Sequence, residues 1–143
     1  MITYKTNITQ TTIFIEAFHK GDSIGWLKAY GDSISMMEIA HTYVCSDDLI
    51  DISYEYNQVI NRNGDMRILE VNVSSLKKEY RGKKIGKQLY LEAIKNWKNH
   101  IKAPFVMIPE KCSTKGSTTR EALFIWKSLQ KDFKHSGLCI VVL

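Results

Sequence analysis

The sequence predicts one domain of mixed α and β structure, either α/β or α+β, built around a β-α-β unit. An apolar strand, a basic turn that contains glycine and an amphipathic helix follow one another between positions 69 and 97. A second apolar run at 103–109 completes the strand, helix, strand order. The chain has 143 residues, 44% of them hydrophobic, which suits a single globular core and leaves little room for a second.

The first elements are predicted to form a β-hairpin. Thr11 to His19 and Ser23 to Tyr30 are β-prone runs, and the short segment Lys20-Gly21-Asp22 joins them. Gly31-Asp32 then predicts a further turn.

The next two segments carry competing patterns. Ser33 to Val44 predicts a third strand, although its centre at 37–40 could also begin a helix. In Asp47 to Arg62, the apolar residues fit one helical face, whereas positions 52, 54 and 56 alternate as in a strand. N-cap candidates at 46 and 47 favour the helix. Asn63-Gly64 closes the segment, either as a left-handed helix end or as a hairpin turn.

The second half is predicted to be strand, helix, strand, helix and strand. Met66 to Ser74 is the central strand, and Ala103 to Pro109 has the continuous apolar pattern of a strand buried on both faces and parallel to its predecessor. Thr118 and Glu121 form a capping-box pair for a helix that extends to 133, and Leu138 to Leu143 ends the chain as a strand. The helix after the turn has an apolar stripe of Ile85, Leu89, Ala93, Ile94 and Trp97.

The turn before this helix carries the clearest chemistry. At a helix start, backbone N–H groups without intrahelical partners and the positive end of the helix dipole point at the preceding turn, so phosphate is favoured there. Gly82 and Gly86 let the backbone approach a ligand, and four cations surround them. The pattern favours a pyrophosphate site. The four cations are Arg81, Lys83, Lys84 and Lys87.

Other glycine turns fit this segment poorly. A P-loop requires Gly, four residues and Gly-Lys-Ser/Thr, which is absent, and a dinucleotide fingerprint requires three glycines, which Gly82 and Gly86 do not supply. The remaining alternative is a solvated basic helix cap at residues 81–87, since charge clusters at helix ends are common.

Charge and cysteine usage limit the partners. The formal net charge of +5 and the pI near 9.1 favour a polyanionic ligand. The lysines concentrate at 77–102 and 127–134, which a ligand pocket explains better than a nucleic-acid-binding arm, so nucleic acid is disfavoured. Cys45, Cys112 and Cys139 have neither disulfide nor metal-ligand spacing. Without a signal pattern or an apolar run near the ~20 residues that span a bilayer, a soluble cytoplasmic protein with no membrane partner is expected.

The segment EYRGKKIGKQLY at 79–90 resembles the acyl-CoA-binding turn of the GNAT acetyltransferase superfamily. The family pattern is Arg or Gln, two variable residues, Gly, one variable residue, then Gly or Ala. Arg81, Ile85 and Gly86 fit it, whereas Lys84 stands where the first Gly is usual. The resemblance implies a mixed, mostly antiparallel central sheet flanked by helices, with an acyl-CoA-binding core at 66–133 inside a single domain of residues 1–143. The family's two N-terminal helices have no counterpart before the hairpin, and an insertion at 33–62 could substitute for them.

The resemblance also implies acetyl-CoA as co-substrate, an amine of a small molecule or protein as acceptor, and no metal. The amides of the turn would hold the CoA pyrophosphate, and the strand before it would pair with the pantetheine arm. Val73 is the nearest candidate for a backbone N–H that binds the thioester carbonyl, and Glu70 for a base that acts directly or through water. The implied cofactor-binding residues are Val71, Val73, Arg81, Gly82, Lys83, Lys84, Ile85, Gly86, Lys87 and Thr119.

The last predicted helix resembles the family pattern of Asn, two residues, Ala and, one turn on, a Tyr proposed to protonate the departing thiolate. Thr119 stands at the Asn position, Ala122 at the Ala and Trp126 at the Tyr. Indole cannot serve as that acid, so Trp126 is interpreted as core. The proton then comes from water or from a tyrosine such as Tyr90, or else the protein is a non-catalytic GNAT-like CoA-binding or protein-interaction module.

Two further predictions concern the acceptor side and assembly. His41 is the one histidine in a segment that could line an acceptor site; the other three are interpreted as surface or structural residues. A homodimer is an open alternative to a monomer.

Overall fold

The structure, a computed structural model, describes residues 1–34, 66–103, 105–109, 120–133 and 139–140. Within these ranges the chain forms one mixed sheet of six strands in the order β1-β2-β3-β4-β5-β6, together with two helices. β1 pairs antiparallel with β2, and β2 antiparallel with β3, whereas β5 and β6 are parallel. The predicted class, a mostly antiparallel mixed sheet with helices, is confirmed. The elements are β1 (Ile2–Ile8), β2 (Thr12–His19), β3 (Asp22–Ile34), β4 (Met66–Leu76), a 3₁₀ turn (Lys78–Tyr80), α1 (Ile85–Ile101), β5 (Val106–Pro109), α2 (Arg120–Asp132) and β6 (Cys139–Ile140).

The chain divides into two compact units. The first comprises Met1–Gly31 with Val71–Lys102, and the second comprises Asp32–Glu70 with Ala103–Leu143. The first unit contains the predicted anion-binding turn. A single domain over residues 1–143 stays a prediction.

The core of the first unit lies between α1 and one face of the strands. Ile13, Ile15 and Ala17 of β2 have no exposed surface, and Leu27 and Ala29 of β3 have none either. Because side chains alternate along a strand, each set faces the same side of the sheet. Each fully buried Ile or Leu contributes about 1.5–3 kcal/mol to stability. The helix covers this face with Ile85, Leu89, Tyr90, Ala93, Ile94 and Trp97, all of them buried.

The predicted hairpin is confirmed as β2 and β3. Its turn is Lys20 and Gly21, which have φ of +53° and +83°, while His19 pairs with Asp22. Two consecutive positive φ angles belong to the type I′ turn, whose twist matches that of the flanking strands.

The sequence did not predict β1, and the turn predicted at Gly31-Asp32 is wrong. The alternation of Ile2, Tyr4 and Ile8 is the pattern that could have predicted this strand.

At Gly31 the chain continues as β3. Glycine is required there by packing, because a Cβ would lie 2.1 Å from Cζ2 of Trp97 on α1. The Gly31 N–H also donates to the carbonyl of Thr11 at 2.8 Å.

The central strand is longer than predicted. β4 continues to Leu76, where the Lys77 N–H donates to the carbonyl of Ile24 on β3 at 2.8 Å. The segment after Ser74 is therefore largely strand and 3₁₀ turn.

The other predicted elements are confirmed where the structure describes them. Phe105, Val106, Met107 and Ile108 have no exposed surface, as expected for a strand buried on both faces. The pairing of β5 with its predecessor as a parallel strand stays a prediction. Helix α2 and β6 lie within the predicted ranges. The predicted strand beyond position 34, the helix at 47–62 and the caps at 63–64 and 118 lie outside the described residues. Neither helix of the described ranges is long and apolar enough to cross a membrane.

Candidate anion-binding site

The connection from β4 to α1 is a compact turn with two left-handed residues. After the 3₁₀ turn, Arg81 is extended, with φ −73° and ψ 153°. Gly82 has φ +77°, and Lys84, the N-cap of α1, has φ +66° and ψ 8°. Lys84 thus adopts the left-handed conformation that glycine adopts most readily, although its side chain makes it strained. The position at which the sequence departs from the GNAT pattern therefore has the backbone geometry that glycine favours.

The start of α1 presents backbone N–H donors to the turn. The first hydrogen bond of α1 runs from the N–H of Gln88 to the carbonyl of Lys84, at 3.1 Å, and Lys84 makes no side-chain cap. The N–H groups of Ile85 and Gly86, in the first turn of α1, precede that bond and have no intrahelical carbonyl to donate to. No atom lies within 4 Å of the position that a Cβ would take on Gly82. Open space and unpaired donors at a helix start together suit an anion.

The predicted cations rim this turn in different roles. Arg81, Lys83 and Lys84 are exposed, and Lys87 is half-buried. The Arg81 Nε donates to the carbonyl of Leu76 at 3.1 Å, so this side chain also fastens the turn to the end of β4. Lys83 lies with its Nζ 5.9 Å from the centre of the Tyr80 ring.

Two residues that sequence reasoning did not select hold the turn in place. The Tyr80 hydroxyl lies 2.8 Å from Nδ1 of His19, at the end of β2, and the two rings meet edge to face at 5.5 Å. The sequence signal that could have identified Tyr80 was its position immediately before Arg81. His19 is thus structural, as the sequence predicted for the histidines other than His41.

The strand that leads into the turn carries a polar strip on the side facing α1. The Ser74 hydroxyl lies 3.2 Å from that of Tyr90, which projects from the helix. Burial raises the pKa of Tyr90 above its ordinary value of 10.0, while the bond to Ser74 acts in the opposite direction. Two residues earlier lies Asn72, whose Oδ1 is buried.

The remaining predicted site residues are less closely associated with the turn. Val71 is buried in β4 and Glu70 is half-buried, while Val73 is described as strand backbone only. Trp126 is 2% exposed, which agrees with its interpretation as core. Ala122 is half-buried in α2. Thr119 and His41 lie outside the described residues. Among the residues described, no group of three or more His, Cys, Asp or Glu could hold a metal ion.

The fold of the chain is similar to those of a solved acetyltransferase and a solved transcriptional regulator. An aminoglycoside acetyltransferase from an uncultured soil metagenomic sample matches 85% of the chain with a TM-score of 0.52 and 14% identity. A transcriptional regulator from Bacillus halodurans C-125 matches with the same coverage, TM-score and identity. A ribosomal-protein-alanine N-acetyltransferase from Brucella melitensis has a TM-score of 0.49 at 11% identity over 85% of this chain and 64% of its own. The chain covers only 59% of the length of the first two proteins.

The fold that the sequence resemblance implied is therefore confirmed. No family model matches the sequence, and no curated protein matches it either.

Proposed function

We propose that this protein is an N-acetyltransferase that moves an acetyl group from acetyl-CoA to an amine. The observation that carries the proposal is the turn at 81–87. Its N–H groups at the start of α1, its positive φ angles and its exposed cations are what a diphosphate requires. The fold supports the same class of enzyme.

Residues of the turn and of β4 would together bind acetyl-CoA. The N–H groups of Gly82 to Gly86 bind the diphosphate, and Lys83 and Lys84 add charge. When bound, acetyl-CoA supplies an acyl group that is already activated as a thioester, so the protein has mainly to position the amine and manage its protons. Val71 and Val73 offer strand backbone to the pantetheine arm.

Two side chains are candidates for the proton transfers. Glu70 on β4 would accept a proton from the amine, directly or through water. Tyr90 is the tyrosine proposed to give a proton to the thiolate, although burial raises its pKa and so makes its phenol a weaker acid. Both assignments belong to the proposal.

The alternative is a non-catalytic GNAT-like module that binds CoA or another protein. It is favoured by Trp126, which is buried core at the position where the family resemblance expects an acidic Tyr. The fold match to a transcriptional regulator is compatible with it. Release of free thiol from acetyl-CoA with a panel of polyamines, aminoglycosides and lysine peptides separates the two, because only an enzyme produces thiol in proportion to the amine.

The proposed partners follow from the same chemistry. The acceptor is an amine of a small molecule or of a protein, and acetyl-CoA is the co-substrate. We place the protein in the cytoplasm, where acetyl-CoA and reduced cysteines are found together. A homodimer is compatible with this function, and nucleic acid is not proposed as a partner.

Two glycines provide a matched test of the site. Gly82 and Gly21 both have positive φ, and both have open space where a Cβ would stand. Gly82→Ala and Gly21→Ala should therefore lose similar stability, about 1 kcal/mol each. By isothermal titration with CoA, Gly82→Ala should weaken affinity about tenfold, equal to ~1.4 kcal/mol, because the methyl group obstructs the approach of the ligand to the backbone. Gly21→Ala should bind as the wild type does.

A stronger perturbation gives the decisive outcome. Gly86→Glu places a carboxylate in the first turn of α1, where it repels a diphosphate, so CoA binding should be lost. If the wild type shows no binding at millimolar CoA, or if Gly86→Glu binds unchanged, the proposed function is wrong.

A further inference from the structure

The anion-binding turn has few contacts of its own to fix its conformation. Residues 81–84 are all exposed, and apart from its chain neighbours no atom lies within 4 Å of the position of a Cβ on Gly82. Gly82 and Lys84 both have positive φ, and for Lys84 this conformation is strained. The backbone of the turn therefore depends on neighbouring residues that are themselves fixed.

Tyr80, the residue immediately before the turn, is anchored to the sheet. Its hydroxyl lies 2.8 Å from Nδ1 of His19, and the two rings meet edge to face at 5.5 Å. The backbone of His19 is in register with Ile2 of β1 and with Asp22 of β3, so it is fixed between two strands. Both rings are half-buried, where water competes less with a hydrogen bond than it does on an open surface. His19 thus connects the start of the turn to a rigid part of the first unit.

The ring of Tyr80 also contacts a cation of the turn. The Nζ atom of Lys83 lies 5.9 Å from the centre of this ring, which is within the range of cation–π attraction. The side chain of Lys83 is exposed and flexible, so a contact that restricts it also fixes where its positive charge lies. His19, Tyr80 and Lys83 therefore form a chain of contacts from the end of β2 to the proposed diphosphate site.

We propose that His19 and Tyr80 are positioning residues for CoA. They hold Lys83 and the backbone of the turn in the arrangement that binds the diphosphate, and they do not touch the ligand themselves. A site that is already ordered loses less conformational entropy when the ligand binds, and this difference is the physical source of the effect. The inference rests on the proposed function, because the turn needs this arrangement only if a diphosphate occupies it.

Removing the hydrogen bond should weaken the binding of CoA. Tyr80→Phe keeps the ring and removes the hydroxyl, whereas His19→Phe keeps a ring and removes Nδ1. By isothermal titration, at a temperature at which all variants are folded, each should bind CoA roughly three- to tenfold more weakly than the wild type. His19→Asn is the rescue variant, because its side-chain amide takes the place of Nδ1 and can bond to the Tyr80 hydroxyl. It should bind CoA within about twofold of the wild type.

A control on the same strand separates positioning from a general loss of stability. The side-chain oxygens of Thr9 and Thr12 lie 2.6 Å apart at the other end of β2, about 23 Å from His19. Thr12→Val removes this hydrogen bond. Whatever stability this variant loses, it should bind CoA as the wild type does.

A double-mutant cycle tests whether His19 acts through Lys83. In the wild-type background, Lys83→Gln should weaken CoA binding roughly fivefold, because a charge beside the diphosphate is removed. In the His19→Phe background the same change should cost about twofold or less, because Lys83 is no longer held there. 3′-Phosphoadenosine 5′-diphosphate, which keeps the phosphates of CoA and lacks the pantetheine arm, should show the same differences.

The inference is overturned if Tyr80→Phe and His19→Phe bind CoA as tightly as the wild type, or if His19→Asn binds as weakly as His19→Phe. Equal costs of Lys83→Gln in both backgrounds, or differences that disappear with the truncated ligand, overturn it as well. If His19→Phe does not fold, Tyr80→Phe takes its place in the cycle. If the wild type binds CoA and only these results fail, the proposed function survives; if the wild type does not bind CoA, both fall.

Discussion

Lys84 shows how a single residue can keep a backbone conformation that its side chain disfavours. At φ +66° its Cβ crowds the neighbouring carbonyl, which costs about 1 kcal/mol relative to glycine. The residue is nevertheless the N-cap of α1, and its side chain is exposed. A lysine here therefore trades conformational strain for positive charge at the proposed diphosphate site.

Replacing Lys84 by glycine should separate these two effects. We expect Lys84→Gly to raise the free energy of unfolding by up to about 1 kcal/mol, since strain is relieved, although the greater freedom of glycine in the unfolded chain offsets part of the gain. Lys83→Gly is the control: φ of Lys83 is not positive, so this variant should be destabilised. Urea unfolding of both variants checks the prediction, and a clear loss of stability in Lys84→Gly would contradict it.

The connection between β4 and α1 is an element held from two sides. Arg81 bonds to the carbonyl at the end of β4, and Tyr80 bonds to His19 at the end of β2. These contacts tie the turn to strands that pair within the same unit. A preorganised turn loses less entropy when a ligand orders it, so this attachment should favour anion binding.

A double-mutant cycle measures this attachment. We expect Tyr80→Phe and His19→Phe each to lower the free energy of unfolding by about 1 kcal/mol, because each removes the same hydrogen bond. The double variant should then lose less than the sum of the single losses, and the difference is the coupling energy. Chemical denaturation of the four proteins provides the data. Fully additive losses would mean that the 2.8 Å contact contributes nothing to stability.

At the scale of the whole molecule, folding buries phenol groups. Burial raises the pKa of Tyr90, and partial burial, followed by the nearby Glu92 carboxylate, raises that of Tyr4. The folded protein therefore holds these protons more tightly than the unfolded chain does. The resulting stability is fully present below the unfolded pKa of about 10 and is lost as the pH rises through the folded value.

The free energy of unfolding should accordingly fall as the pH rises above about 10, by at most ~1.4 kcal/mol per pH unit for each tyrosine. Tyr90→Phe should show a shallower fall, whatever its stability at neutral pH. Tyr30→Phe, at a residue that is 36% exposed, serves as the control and should follow the wild type. Denaturant titrations at several alkaline pH values measure the slopes. Identical slopes in the wild type and Tyr90→Phe would refute the linkage.

The elements that the sequence predicted correctly are those with local signals. The short segment at Lys20-Gly21 predicted the hairpin, and the spacing of apolar residues predicted the helix after the turn. β1 was missed because its alternation is short and its side chains are largely exposed. The turn at Gly31 was predicted wrongly because glycine occurs both in turns and where a neighbouring side chain leaves no room for a Cβ. The second reason applies to Gly31, and it depends on the ring of Trp97, 66 positions later in the chain.

By itself, the sequence determined the hairpin, the order of the elements from the central strand onwards and the position of a basic helix start, because periodicity and helix-end chemistry act between near neighbours. The tertiary structure decided that Lys84 adopts a left-handed backbone, that His19 reaches Tyr80, and that Gly31 packs against Trp97. Those properties depend on packing between segments distant in sequence, which no local pattern encodes.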